Sequence, residues 1–284
     1  MSVIAAAHLV TLPSGEIIPA LGQGTWHMAE DPVQRTHEIA ALRLGIDLGM
    51  SLIDTAETYA DGGAEELVGE AIAGRREQVF LVDKVLPPHA TRRGTVEDCN
   101  RSLRRLDVDT IDLYLLHWPG PVPLEETVEA FDVLIGAGKI RYWGVSNFDV
   151  ADMEELVDVS GGERVATDQV LYNLESRGIE HDLLPWCQRS GLPVMAYSPV
   201  GQGRLLRHPA LVAVAARHSG VTPAQIALAW VLRLDAVCAI PRAGKPAHVR
   251  ENRAALDIEL TAKDLADLDR AFPPPTRKQP LAML

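Results

Sequence analysis

SLIDTAETYADGGAEELVG, residues 51–69, opens as an apolar run and stops at an acid, Asp54, with Tyr59 five residues further on. In a strand alternate residues share a face, so Leu52 and Asp54 lie on one side of this run. Two later runs end the same way. VFLVDKV (79–85) puts Phe80, Val82 and Lys84 on one face, and TIDLYLLHW (110–118) does so with Ile111, Leu113, Leu115 and His117. The steps from Asp54 to Lys84 and from Lys84 to His117 are 30 and 33 residues, each the length of one βα unit. Three adjacent strands would then bring a carboxylate, an ammonium and an imidazole to one rim, which later strand ends extend with Ser146-Asn147, Gln169 and Tyr197-Ser198.

Working outward, strand-like and helix-like segments alternate along the whole chain. The strand candidates are LGQGTW, SLIDTA, VFLVDKV, TIDLYLLHW, IRYWGVSN, VATDQV, PVMAYSP and VCAIPR. Between them lie amphipathic stretches such as 34–48, 64–73, 95–105, 124–135 and 223–234. Eight strands with intervening helices in about 250 residues describe a (β/α)8 TIM barrel. HLVTLPSGEIIPAL adds an N-terminal β-hairpin around Pro13-Ser14-Gly15. No linker or low-complexity run interrupts the 284 residues, so residues 1–284 are read as a single barrel domain. A doubly wound sheet is the competing fold and would carry a G-x-G-x-x-G turn after its first strand. Gly22-Gln23-Gly24 and Gly201-Gln202-Gly203 both lack the third glycine, and GAGKI (136–140) lacks the first glycine of a P-loop.

Composition limits the partners. With 27 basic and 39 acidic side chains the net charge is −12, which repels nucleic acid and anionic membranes. The N-terminal MSVIAAA carries no basic residue of a targeting leader, and no run approaches a membrane span. A cytoplasmic chain follows from this reading; a monomer is expected, although the sequence itself does not show oligomeric state. Cys99, Cys187 and Cys238 stand far apart, with no CxxC pair and no metal-ligand spacing.

Taken singly, an Asp at a strand end is more often a turn former, a Lys there reaches for water, and a His before Trp-Pro is more often a core histidine. Their joint occurrence at matching strand ends points to an active site at the carboxyl rim of a barrel.

The residues also carry a family resemblance. Asp54-Thr55-Ala56-Glu57-Thr58-Tyr59, Lys84, LLHWP (115–119), GVSNF (144–148), Asp168-Gln169, AYSPVGQG (196–203) and IPR (240–242) stand in the order and spacing of the aldo-keto reductases, from about Leu21 to Pro274. Loop lengths and tail resemble bacterial members of the methylglyoxal-reductase type. The resemblance implies NADPH-dependent reduction of small carbonyls through a tetrad of Asp54, Tyr59, Lys84 and His117. In this scheme Tyr59 gives the proton, Lys84 lowers the phenol pKa, and Asp54 holds Lys84 charged. His117, expected neutral, orients the carbonyl.

By the same resemblance Ser146, Asn147 and Gln169 hold the nicotinamide carboxamide and Tyr197 stacks on the ring. Ser198, Pro199, Val200, Gly201, Gln202 and Gly203 cover the pyrophosphate. Ile240, Arg242, Ala243, Lys245, His248, Glu251 and Asn252 form the adenosine end. Arg242, Lys245, Arg250 and Arg253 make a basic island in an acidic chain, suited to a phosphate. The family's Lys-Ser pair and following Arg are replaced here by Arg242, Ala243 and His248, which leaves NADH as the alternative donor. Trp26, Leu86, Trp118 and Phe148 follow strand ends and are expected to wall an apolar pocket. With a short segment after Trp118 and a short tail after Phe272, the mouth is expected to be open to methylglyoxal-like dicarbonyls and aromatic aldehydes. Two other readings are an NADP(H)-binding redox sensor with little turnover and a Schiff-base aldolase using Lys84. The second is disfavoured because Asp54 would keep the amine protonated.

Overall fold

The structure, a computed structural model, describes residues 8–284. The reading of MSVIAAA as free of a leader lies outside the described residues. The first two strands, β1 (Leu9–Thr11) and β2 (Ile17–Pro19), pair antiparallel with Val10 opposite Ile18. Their turn closes through Leu12 N–H to Glu16 O and a left-handed Gly15. Among the described residues no helix is long and apolar enough to cross a membrane.

Eight parallel strands follow: β3 (Gln23–Gly24), β4 (Leu52–Asp54), β5 (Phe80–Val85), β6 (Ile111–Leu116), β7 (Ile140–Ser146), β8 (Asp168–Leu171), β9 (Val194–Tyr197) and β10 (Val237–Ile240). They pair in sequence order, and bridges from Leu21 to Ala239 and from Gly24 to Arg242 close the sheet on itself. That closure explains Gly24, because a Cβ there would sit 2.7 Å from the Ile240 carbonyl oxygen. All eight strand candidates are present, each near its expected place.

The outer layer contains α1 (Arg35–Asp47), α2 (Gly63–Ile72), α3 (Arg92–Leu106), α4 (Leu124–Gly136), α5 (Val150–Asp158), α6 (Leu183–Arg189), α7 (Pro209–Ala215), α8 (Pro223–Leu232), α9 (Pro246–Ala254) and α10 (Ala262–Ala271). Local chemistry sets their starts. Thr222 and Gln225 form a reciprocal capping box with Pro223 as the first helical residue of α8, and Asp149 and Asp152 do the same for α5. Thr91 caps α3 by accepting from Gly94 N–H, so the helix begins three residues before the apolar periodicity that signals it.

Strands β5 and β6 are buried along their whole length, as a sheet covered on both faces requires. Tyr114, Phe131 and Trp143 pack together outside the barrel wall, with the Phe131 and Trp143 rings stacked 5.3 Å apart. The three cysteines are buried free thiols. Among the described residues several charged side chains are fully buried, Glu65, Asp83, Asp98 and Asp168 with them, and the one cation of the group is Lys84.

Candidate active site

Strand register brings the polar ends together. Asp54 pairs with Val82, and Lys84 lies two residues beyond; Lys84 pairs with Leu115, and His117 lies two beyond that. Level with His117 come Ser146 and Gln169, after which Met195 steps two to Tyr197 and Ile240 steps two to Arg242, the bridge partner of Gly24. Gly24 pairs with Asp54 and closes the circuit. Four steps of two residues give the shear of eight that such a barrel needs, and each step delivers a side chain to the same rim.

At that rim the Lys84 ammonium donates to Asp54 Oδ2 at 2.8 Å, to the Thr55 carbonyl at 2.8 Å and to the Tyr59 hydroxyl at 3.3 Å. These contacts use all three of its protons. Asp54 is held from its other side by Gln169 Nε2, 2.7 Å from Oδ1. Tyr59 stands in the loop after β4, where Ala60 and Asp61 are left-handed and Glu57, buried, accepts from Leu86 N–H at 2.7 Å. The His117 ring lies edge-on to Tyr59 with centroids 5.9 Å apart.

The electrostatics follow from burial. Burial disfavours the Lys84 ammonium, but Asp54 and Tyr59 outweigh it, so its pKa is raised and it stays charged. Burial, with Lys84 nearby, pushes the His117 imidazole down to about 2, so it is neutral. For Tyr59 the sequence-based expectation is corrected: burial raises the phenol above its usual value by more than Lys84 lowers it. Without a cofactor the hydroxyl therefore keeps its proton at neutral pH. On the outward face of β5, Asp83 is fully buried near Glu65, and burial and Glu65 lift its carboxyl well above the usual range.

A cavity of about 720 Å³ opens above these groups. Asp54, Tyr59 and His117 face it, with Lys84 sealed behind them. Ser146, Asn147, Gln169 and Tyr197 line one wall and are mutually braced. Asn147 donates to Ser146 Oγ and to the His117 carbonyl, and Tyr197 donates to Asn147 Oδ1 at 2.9 Å.

Ser198, Pro199, Val200, Gln202 and Gly203 follow along the same wall, with left-handed backbone at Ser198, Gln202 and Gly203. Gly201 is buried beneath them against Leu205, outside the lining. At the far end stand Ile240, Arg242, His248, Glu251 and Asn252.

Several expected positions differ. Ala243 is buried, and Lys245 is exposed outside the lining as the residue capping α9, where the chain turns. Arg250 does not reach the cavity and Arg253 pairs with Asp257, so only Arg242 and His248 of the basic segment face inward. Trp26 and Trp118 line the mouth. Phe148 is fully buried in the core, because left-handed Asn147 breaks the strand alternation just before it, and Leu86 is outside the lining. The mouth is also not as open as the short tail suggests. Met283 and Leu284 return to line it, and Lys278 lies 3.5 Å from Asp182 along the way. Glu30 and His27, which the strand-end pattern did not flag, line the same mouth.

A profile of the Aldo/keto reductase family matches residues 20–272. The chain belongs to the aldo/keto reductase family. Methylglyoxal reductase YeaE of Escherichia coli K12 is 55% identical over 276 residues, covering 95% of this chain and 97% of the relative. Among solved structures, an aldo/keto reductase from Klebsiella pneumoniae in complex with NADP and acetate is 53% identical with a TM-score of 0.95, covering 98% of this chain and all of that one. A Klebsiella pneumoniae aldo-keto reductase in complex with NADPH is likewise 53% identical, with a TM-score of 0.96 and coverage of 99% and 100%. The closed eight-stranded sheet and the polar groups gathered at its carboxyl rim are thus set in an aldo/keto reductase barrel.

Proposed function

We propose that the chain is an NADPH-dependent reductase of small aldehydes and ketones, working in the cytoplasm as a monomer. The observation that carries this reading is the Lys84 ammonium shared between Asp54 and the Tyr59 hydroxyl at the floor of the cavity. The cavity fits a nicotinamide dinucleotide. Amides and hydroxyls of Ser146, Asn147 and Gln169 lie beside the reacting end, a small-residue cradle with left-handed backbone runs through the middle, and Arg242 and His248 stand at the far end. A bound reduced nicotinamide supplies the hydride.

The chain's own residues supply the rest. Tyr59 gives its proton to the carbonyl oxygen as the carbon is reduced, and the resulting phenolate is stabilised by Lys84 until solvent returns the proton. Neutral His117 donates a hydrogen bond that orients the carbonyl and stabilises charge building on its oxygen. Asp54 keeps Lys84 charged and in place without touching substrate. Trp26 and Trp118 favour small dicarbonyls and aromatic aldehydes, and the methylglyoxal reductase relative supports the first of these. The test is loss of NADPH absorbance with methylglyoxal, an aryl aldehyde and a sugar aldehyde. Rapid consumption with the first two supports the reading, whereas NADPH binding without consumption by any carbonyl would leave a cofactor sensor in its place.

A further inference from the structure

Glu38 lies in the first turn of α1 and is buried, which is unusual for an acid on a surface helix. Its Oε2 accepts the Ala29 backbone N–H at 3.0 Å, and its Oε1 lies 3.2 Å from Arg242 Nη2. The same Nη2 donates to the His27 carbonyl at 3.0 Å. Two side chains from opposite ends of the sequence therefore grip one short loop, residues 26–30, which supplies Trp26, His27 and Glu30 to the cavity mouth. The loop needs holding. His27 and Ala29 both have positive φ, 63° and 64°, a conformation unfavourable for a residue with a Cβ.

Arg242 has a second side. Both clamp contacts use Nη2, and among the described residues Nε and Nη1 donate to nothing, while the side chain lines the cavity beside His248 and Glu251. Its backbone is fixed by the bridge to Gly24. A guanidinium gripped along one edge offers its other edge to an oxyanion, and a planar donor set suits phosphate. We propose that Arg242 and Glu38 form a clamp through which a phosphate at the adenosine end of the cavity steadies the Trp26–Glu30 wall at the carbonyl end, with Glu38 as a positioning residue for the carbonyl substrate. This rests on the NADPH reading above. It makes the 2′-phosphate a determinant of carbonyl affinity as well as of cofactor affinity, since NADH cannot engage the free edge in the same way.

Two measurements test it. In the unliganded protein, amide hydrogen exchange over residues 26–30 is compared among wild type, Glu38→Gln and Arg242→Gln, with Arg242→Lys as a further variant should either fail to fold. The clamp predicts exchange about tenfold faster in the variants, the loss of one charged hydrogen bond. Adding NADPH to the wild type should slow exchange in this loop more than adding NADH does. Kd for NADPH is then read by fluorescence, and KM and kcat for the carbonyl at saturating NADPH. Glu38→Gln should raise carbonyl KM about tenfold with kcat within about twofold. If Arg242→Gln weakens only NADPH binding, with loop exchange and carbonyl KM unchanged, Arg242 serves the phosphate alone and the clamp is refuted. Failure of wild type to bind or oxidise NADPH would instead remove the functional reading, and the unliganded exchange comparison would still decide whether the clamp exists.

Discussion

The two ends of the cavity are built by different means. At the Tyr59 end, Asp54 and Lys84 stand on adjacent strands, are buried, and have their hydrogen-bonding capacity used by each other, Thr55, Tyr59 and Gln169. At the opposite end, proposed for the adenosine, Arg242 and His248 stand after the last strand and on a short helix, both exposed, and Arg242 has one edge free. Backbone pairing fixes the first end before any ligand arrives. The second leaves donors to be organised by what binds. An aldo/keto reductase built this way should be intolerant of change where protons move and adjustable where phosphate is recognised.

The sharpest way to break that contrast is Tyr59→Phe. It should lower kcat for carbonyl reduction by about 10²–10⁴ while Kd for NADPH moves less than about twofold, and full turnover in the variant would end the assignment of the proton donor. Lys84→Met strands the Asp54 carboxylate in the interior and should cost about 3–5 kcal/mol in urea unfolding. Adding Asp54→Asn should recover part of that stability but no activity; strictly additive losses would show that the pair is not coupled.

The pH profile of kcat/KM sharpens the electrostatic side of the contrast. In its proposed role Tyr59 must be protonated and its pKa is raised, so the rate should hold through neutrality and fall only as pH rises above about 10. With His117 pushed down to about 2, there should be no limb near the ordinary histidine value. A limb there would show that His117 titrates. At the adjustable end, His248→Arg should tighten NADPH about tenfold and leave NADH unchanged in a fluorescence titration. The smallest effect is expected from removing residues 280–284, which should raise KM for an aryl aldehyde about threefold, the worth of a small apolar contact, without moving Tm.

What the sequence made legible follows the same division. Alternation along strands exposed Asp54, Lys84 and His117, because a polar residue closing an apolar face is a local pattern. The shear that superimposes them is not local and appears only in the register. Alternation misled at Phe148, where left-handed Asn147 ends it, and charge counting misled at Lys245, which the start of α9 turns outward. Glu38 was not flagged, because an acid in the first turn of an amphipathic helix looks like an ordinary solvated cap until Arg242, 204 residues away, is found beside it. Met283 and Leu284 were missed for a related reason, since an irregular tail carries no periodicity to say where it returns.

The buried thiols bear on survival in the presence of the proposed substrates. Dicarbonyls are electrophiles that thiolates attack, so a chain that binds them at its mouth would risk damage to itself. Burial pushes Cys99 and Cys238 up to about 12 and Cys187 higher still, so at neutral pH each is a protonated sulfhydryl out of contact with solvent. Because the thiolate is the reactive form, the fold offers a dicarbonyl little sulfur nucleophile to consume.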